Sequence, residues 1–374
     1  MEDILANADA FLKRRYGPNL RMCNPVVVKD WKRNLVMRFT LRGGRSSPGS
    51  IMMKKFKDDP VCGFSDWASL EFLSTVDGIN EFVPCFCGGD IRGRFFMMED
   101  LGESKTLADV FADGDSVVTE KLLVQMAGQM GKLAGLTLGK ESQFEHLRQH
   151  YPGNGRVGRF VEAESWKGSI IRVEAWLKAA GLRVPPGFMP CMEVIAETCS
   201  YPPDCLVFSH GDPAPSNAHV KQEIIRLIDF EYGAYRHALY DITAWNLLCP
   251  LPESWVGKMS DSFRKELSSY ICMAQRDEWY SFHWAVLSAY RAFAMMSWFP
   301  IEILEEDRPW LDEWTMRAAM ISTCLRLAHS TEGVESLRPL AEVGGMLSRN
   351  LQDRWPESGD GKIRWPGAPE DQGM

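Results

Sequence analysis

The sequence has no long apolar run of the kind that spans a membrane. No stretch of about 18 apolar residues occurs in its 374 residues, and the most apolar candidate helix, at 285–299, is interrupted by Arg291. The first residues, Met-Glu-Asp-Ile-Leu, are acidic and lack the basic segment and apolar core of a signal peptide. We therefore expect a cytoplasmic protein with no membrane association.

Basic charge is also in short supply. Lysine and arginine total 42 against 50 aspartates and glutamates, and the formal net charge is −8. Nucleic-acid binding is disfavoured, because a phosphate backbone is bound by a basic surface. An acidic surface suits a cationic substrate, although solubility is the more ordinary explanation. The sequence does not indicate an oligomeric state.

Cysteine is present, but not in metal-binding spacing. The ten cysteines are scattered, and the closest two, Cys85 and Cys87, have one residue between them. Zinc sites use pairs with longer spacing, and no second pair completes a set of four ligands. We expect reduced and mostly buried thiols.

The rest of the composition, 45% hydrophobic and 25% charged, is that of a globular protein with room for two or three lobes.

Ser65 or Asp66 is the expected cap of a helix near residue 67. Apolar spacing and β-rich runs predict an α+β order of elements: helices at 4–16, 67–76, 117–138, 162–180 and 190–199, strands at 25–29, 35–41, 51–56, 82–86 and 95–98, a hairpin at 216–228, and helices from 240 to about 349.

This order predicts two lobes. The N-terminal lobe, 1–101, would hold an antiparallel sheet with one helix and end in a hinge. The C-terminal lobe, 102–351, would be larger and mainly helical, with the β-hairpin inserted. The tail, 352–374, is rich in proline and glycine and is predicted to be flexible.

The most informative segment runs from 210 to 231. Asp212 follows His210 by two residues, and Asn217 follows Asp212 by five. This spacing matches the catalytic loop of protein kinases, in which the aspartate accepts the proton of the substrate hydroxyl and the asparagine coordinates magnesium. Pro213 and Pro215 stiffen the loop, because proline fixes φ.

The predicted hairpin would return the chain so that Asp229 lies beside Asn217. A divalent cation needs oxygen ligands from separate segments, and this arrangement supplies them. The alternative is an exposed turn aspartate. Asp229 is flanked by Ile228 and Phe230, where a carboxylate without a partner would be costly, so the metal interpretation is favoured.

With these residues, the chain resembles the aminoglycoside phosphotransferase and choline kinase group, which are small-molecule kinases with a protein-kinase-like fold. The resemblance is most specific over 205–245 and weaker back to about residue 25. It implies ATP and Mg²⁺ as cofactors and a small-molecule hydroxyl as acceptor. The residues that carry it are His210, Gly211, Asp212, Asn217, Ile228, Asp229, Phe230, Glu231, Tyr240 and Asp241, of which Asp241 would brace the catalytic loop.

The resemblance also implies roles in the N-terminal lobe. Lys54, in the third strand, would hold the α- and β-phosphates, and Glu71 on the next helix would pair with it. Lys55 is the alternative, because alternation lets only one of the two lysines face the nucleotide. Glu99 and Leu101 lie at the hinge, where backbone groups would hold the adenine. The resemblance does not decide between ATP and GTP. Without it, Lys54 or Lys55 would be an ordinary solvated lysine of a strand, and Glu71 would be an ordinary surface glutamate.

One loop departs from the family pattern, and one group of aromatic residues does not identify the acceptor. The loop at 30–34, where the phosphate-covering loop is expected, has no glycine, so Lys32 or Arg33 would contact phosphate by charge instead. Aromatic residues between 245 and 298 are more often core, but they suit an aminoglycoside, amino alcohol or sugar-like acceptor.

Two alternative functions remain. The unusual loop motivates a catalytically silent, kinase-like scaffold, against which the intact Asp212, Asn217 and Asp229 argue. A protein kinase is the weaker alternative, because the interval from Glu231 to Asp241 is too short for an activation loop.

Overall fold

The computed structural model describes residues 2–44, 47–153, 159–200, 202, 204–247, 251–311 and 314–358, without the side chains of 2, 3 and 159–161. The chain forms two compact units. Unit 1 comprises Met1–Asp109, Gly139–Val157 and His210–Ala234, and unit 2 comprises Val110–Leu138, Gly158–Ser209 and Tyr235–Met374. In the described part of the chain, no helix combines the length and apolar character needed to cross a bilayer.

Helices and strands follow one another along the chain in a mixed order, which confirms the predicted α+β class. They are α1 (Glu2–Tyr16), β1 (Arg21–Asp30), β2 (Asn34–Arg42), β3 (Ser50–Phe56), α2 (Pro60–Leu73), β4 (Phe86–Asp90), β5 (Phe95–Glu99), β6 (Lys105–Thr106), α3 (Leu107–Asp113), α4 (Ser116–Thr137), α5 (Glu141–Arg148), α6 (Arg159–Ala179), α7 (Phe188–Ser200), β7 (Leu206–Ser209), β8 (Ala218–Lys221), β9 (Ile224–Leu227), β10 (Ala234–His237), α8 (Tyr240–Leu247), α9 (Glu253–Leu267), α10 (Asp277–Trp298), β11 (Pro309–Leu311), β12 (Trp314–Thr315), α11 (Met316–Thr331) and α12 (Arg338–Arg354).

Unit 1 is built on a five-stranded antiparallel sheet in the order β1-β2-β3-β5-β4. Alternate residues of β2 are buried, as expected for a strand with one covered face. That face forms a core with α1 through Ala8, Leu12, Leu35, Met37, Phe39, Leu41, Ile51 and Met53. The opposite face of β3 therefore carries Lys54 and Phe56 away from this core.

The second helix begins earlier than the sequence predicted. Asp59 accepts hydrogen bonds from the N–H groups of Val61 and Cys62, and Pro60 occupies the first helical position. Both features stabilise a helix start, so α2 begins at Pro60 and not near 67. The predicted caps, Ser65 and Asp66, are wrong, because both lie inside the helix. The strand predicted at 82–86 is likewise displaced and lies at Phe86–Asp90.

The predicted hairpin is confirmed as β8 and β9, which pair from Ala218↔Leu227 to Lys221↔Ile224. Gln222 and Glu223 both have positive φ, 50° and 63°. Two such residues form the type of tight turn that matches the twist of an antiparallel pair. The strand β6 adds to β8 and makes a three-stranded sheet.

Unit 2 is mainly helical, as predicted, with β10–β7 and β11–β12 as two-stranded additions. The helix α12 continues to Arg354, so the first three residues of the predicted tail are helical, and the rest from 359 onward lie outside the described residues. The lobes 1–101 and 102–351 are continuous in sequence, whereas the compact units are not, so the division into those lobes stays a prediction.

The nine cysteines that the structure describes are free thiols. Four of them are buried, four are intermediate and one is exposed, so the expectation of mostly buried thiols is only half right.

Candidate active site

Lys54 is a buried residue of unit 1 that forms two ion pairs. Its residue surface is 5% exposed, and its Nζ lies 2.6 Å from Asp66 Oδ2 and 2.6 Å from Asp229 Oδ1. Burial alone would lower the pKa of a lysine, but the two carboxylates outweigh it and raise the pKa of Lys54 above its ordinary value. Lys55 points to the other side of β3, so of the two candidate lysines it is Lys54 that meets Asp66 and Asp229.

Asp66 takes the place on α2 that the sequence assigned to Glu71. Its Oδ1 accepts a hydrogen bond from the backbone N–H of Phe230 at 2.8 Å, while its Oδ2 pairs with Lys54. Burial raises the pKa of the Asp66 carboxyl, and Lys54 opposes that effect. The carboxylate therefore links α2 both to β3 and to the segment that follows β9.

The predicted pairing of Lys54 with Glu71 is wrong. Glu71 accepts hydrogen bonds from Trp67 Nε1 at 2.9 Å and from the hydroxyl of Tyr151. Five residues along an α-helix correspond to a rotation of about 140° beyond one full turn, so Asp66 and Glu71 point in different directions. The signal that could have found Asp66 is the Asp59-Pro60 helix start, which places Asp66 inside α2 instead of at its N-cap.

Asp229 adopts a left-handed backbone conformation with φ of 66°. This conformation costs a non-glycine residue about 1–2 kcal/mol, and such strain concentrates at functional sites. Burial raises the pKa of the Asp229 carboxyl, but Lys54 outweighs that effect and leaves the pKa below its ordinary value. The side chain remains 30% exposed, so it can reach a bound ion or ligand.

His210 supports the loop that carries Asp212. It is buried, and its Nε2 lies 3.0 Å from the carbonyl oxygen of Ile228. A carbonyl only accepts, so Nε2 carries a proton, and Nδ1 accepts the backbone N–H of Asp212 at 3.3 Å. Gly211 has φ of 86°, and a Cβ there would lie 2.3 Å from the carbonyl oxygen of Tyr232, so this position requires glycine.

Asn217 closes the same loop. Its side-chain Nδ2 donates to the backbone carbonyl oxygen of Asp212 at 3.1 Å, and its backbone carbonyl oxygen accepts the N–H of Ile228 at 2.9 Å. The backbone C=O and N–H of Ile228 therefore bind His210 and Asn217, which ties the loop of Asp212 to the residue that precedes Asp229. The structure thus brings Asp212, Asn217, Asp229 and Lys54 into one connected set within unit 1.

The donor set suits magnesium. No group of three or more His, Cys, Asp or Glu side chains in the described ranges is arranged to hold a metal ion. Mg²⁺ does not need such a group, because it is usually held by one or two protein oxygens together with substrate phosphates and water. The Asp229 carboxylate, with the amide oxygen of Asn217, has the hard oxygen chemistry that this ion prefers.

The two predicted hinge residues contact the hairpin. Glu99 pairs with Arg226 at 2.7 Å and accepts the N–H of Cys85 at 3.1 Å. The carbonyl oxygen of Leu101 accepts a hydrogen bond from Lys221 Nζ at 3.0 Å. The Glu99 side chain and the Leu101 carbonyl are therefore occupied by protein partners, and neither is part of the connected set around Lys54.

The loop between β1 and β2 contributes a residue that the sequence left undecided. Arg33 Nη2 lies 3.0 Å from Glu231 Oε1, and the Glu231 side chain is 7% exposed. Burial raises the pKa of the Glu231 carboxyl, and the nearby Asp229 raises it further. Arg33 therefore reaches the segment that carries Asp229, although both Arg33 and Lys32 are exposed.

The aromatic residues considered for acceptor binding belong to unit 2, and fewer than half of them are core. Trp245, Tyr280 and Tyr290 are buried, whereas Trp298 is exposed. Trp279 stacks on His283 with ring centroids 4.1 Å apart. Asp241 is buried in the first turn of α8, and its bracing role stays a prediction.

No family model and no curated protein matches the chain. Among solved structures, it is similar to a choline kinase from Cryptosporidium parvum Iowa II, with 12% identity, 95% of each chain covered and a TM-score of 0.45. A choline/ethanolamine kinase family protein from Mesorhizobium loti has 14% identity, with 86% of this chain and 92% of that chain covered and a TM-score of 0.45. The ADP-bound aminoglycoside phosphotransferase APH(2'')-Ib has 11% identity, with 90% and 98% covered and a TM-score of 0.47.

Proposed function

We propose that the chain is an ATP- and magnesium-dependent phosphotransferase that moves the γ-phosphoryl group to a hydroxyl of a small molecule. One observation carries the proposal: Lys54, Asp66 and Asp229 meet from three separate segments, next to a loop that presents Asp212 and Asn217. Phosphoryl transfer depends on positioning and on charge stabilisation, and these are the groups that provide both.

Asp212 is the proposed base. It would orient the acceptor hydroxyl and accept its proton as the oxygen attacks the γ-phosphorus. His210 and Asn217 fix the backbone of Asp212 through hydrogen bonds of 3.3 Å and 3.1 Å, so the main chain that carries the carboxylate is held in place before the substrate arrives. Such positioning can contribute several kcal/mol to catalysis.

Lys54 is the proposed contact for the nucleotide phosphates, and Asp66 would hold it through their ion pair. Asn217 and Asp229 would hold Mg²⁺, which when bound neutralises the charge of the β- and γ-phosphates. Adenine binding by backbone groups at 97–102 remains part of the proposal, although the Glu99 carboxylate pairs with Arg226. A cytoplasmic location is also part of it.

The test is release of ADP from Mg-ATP in a panel of aminoglycosides, amino alcohols and sugars. We expect at least one class to stimulate turnover, and we expect Asp212→Asn to lower that turnover by about a thousandfold while nucleotide binding is retained. Near-normal turnover in the folded variant would overturn the role of Asp212. Nucleotide binding with no turnover for any acceptor would favour the scaffold, and no binding at millimolar nucleotide would overturn the proposal.

A further inference from the structure

The loop between β1 and β2 is closed by its own backbone. Trp31 donates its N–H to the carbonyl oxygen of Asn34 at 2.9 Å, and the carbonyl oxygen of Arg33 accepts the N–H of Lys57 at 2.7 Å. An ion pair between Asp30 and Lys57 fixes the base of the loop. Glycine-rich loops bind phosphate with free backbone N–H groups. In this loop the Trp31 N–H is already bonded, so a side chain is the better candidate for an anion contact.

Arg33 provides that side chain. Its side chain is 46% exposed, although one of its guanidinium nitrogens lies 3.0 Å from the buried carboxylate of Glu231. A guanidinium has five N–H donors in a planar fork, which matches the geometry of phosphate oxygens. Glu231 follows Asp229 by two residues, so the resting partner of Arg33 lies beside the proposed magnesium ligand.

We propose that Arg33 is a phosphate-contacting residue of this loop and that Glu231 competes with the nucleotide for it. The inference rests on the proposed function, because it takes the nucleotide site to be next to Asp229. In the free protein Arg33 is paired with Glu231, and nucleotide binding exchanges this partner for phosphate oxygens. Glu231 therefore weakens nucleotide binding, and it sets the affinity without contacting the nucleotide.

A purely structural role of the pair makes the opposite prediction for Glu231. If the ion pair only anchors the loop, loss of either partner frees the loop, and both variants bind nucleotide more weakly. If Glu231 competes for Arg33, its neutral variant releases the arginine and binds nucleotide more tightly. The sign of the Glu231→Gln effect separates the two roles.

The experiment measures the dissociation constants of Mg-ATP and of adenosine by titration calorimetry. Arg33→Ala should weaken Mg-ATP binding about tenfold, by loss of a charged hydrogen-bonding group, and should leave adenosine binding unchanged. Arg33→Lys should recover part of the loss. Glu231→Gln should tighten Mg-ATP binding by up to about fivefold, the range for a partly exposed ion pair.

The double variant and a charge-matched control complete the design. In the Arg33→Ala background, Glu231→Gln should tighten Mg-ATP binding less than it does in the wild type, because the competition requires Arg33, even though Glu231 also interacts with Asp229 and Lys54. Arg42→Ala removes an exposed arginine at the far end of β2 and should bind like the wild type. Equal weakening by Arg33→Ala and Glu231→Gln, or no effect of Arg33→Ala while the wild type binds Mg-ATP, would overturn the inference alone. No binding by the wild type would overturn the proposed function and this inference with it.

Discussion

Asp66 and Phe230 are 164 positions apart, yet the carboxylate of Asp66 accepts the backbone N–H of Phe230 at 2.8 Å. The other oxygen of the same carboxylate pairs with Lys54 at 2.6 Å. One side chain therefore ties α2 to β3 and to the segment of Asp229. The buried carboxylate of Asp66 has a charged partner in Lys54 and a backbone donor in Phe230. Loss of either partner would leave one of its oxygens buried without compensation.

The first prediction concerns this link. Asp66→Asn keeps the shape of the side chain but removes the charge that pairs with Lys54, and we expect the free energy of unfolding to fall by about 2 kcal/mol. Urea denaturation followed by tryptophan fluorescence measures it. Glu71→Gln, on the same helix, keeps an acceptor for Trp67 and Tyr151 and should change stability by less than about 1 kcal/mol. A larger loss for Glu71→Gln than for Asp66→Asn would contradict the assignment.

The second prediction separates the two adjacent lysines. Lys54→Met should weaken Mg-ATP binding about tenfold or more, because a charged contact to phosphate is lost. Lys55→Met should stay within about twofold, since Lys55 lies on the other face of β3. Calorimetric titration of both variants decides the matter, and the reverse order of effects would exclude Lys54 as the phosphate contact.

The third prediction uses the strained backbone of Asp229. Its φ of 66° favours glycine over any residue with a Cβ. Asp229→Gly and Asp229→Ala both remove the carboxylate, so both should lose magnesium-dependent nucleotide binding. The glycine variant should nevertheless be more stable than the alanine variant by roughly 1 kcal/mol. Thermal unfolding of the two proteins gives this difference, and an equally stable alanine variant would show that the strain is absent.

The fourth prediction is a pH dependence in unit 2. His237 accepts the N–H of Leu239 on Nδ1 at 3.1 Å, so its Nε2–H donates to His283 Nδ1 at 2.8 Å, and both rings are neutral. Burial lowers the pKa of His283 to about 4 and lowers the pKa of His237 well below its ordinary value. The unfolded chain binds these protons near pH 6.5 and the folded chain does not, so stability is lost as the pH falls from about 6.5 towards 4.

Urea unfolding at pH 7 and pH 5 measures this slope, which should be on the order of 1 kcal/mol after allowance for the solvent access of His283. His283→Gln keeps an acceptor for His237 but cannot take up a proton, so its stability should fall less over the same range. A variant that loses as much stability as the wild type would show that His283 does not contribute.

Much of the candidate site could be predicted from the sequence, because it is local. Asp212 and Asn217 share one loop, and the Gln222–Glu223 turn brings Asp229 back beside them with a register set by β8 and β9. Which of Lys54 and Lys55 meets the buried carboxylates could not be predicted, because it depends on which face of β3 is turned toward α2 and Asp229. The acid on α2 could not be predicted from spacing to Lys54, because the predicted helix began after Asp66, whereas the start at Pro60 places Asp66 within the helix.

The sequence by itself determined which chemical groups lie in unit 1: an aspartate supported by a histidine, an asparagine at kinase spacing and a second aspartate after a hairpin. These groups are close along the chain, and the register of a hairpin depends on neighbouring residues. Only the tertiary structure decided which distant groups satisfy those charges. Asp66 pairs with Lys54, and Arg33 reaches Glu231 across 198 positions. A buried charge selects its partner by distance in space and by desolvation, and neither can be read from separation along the chain.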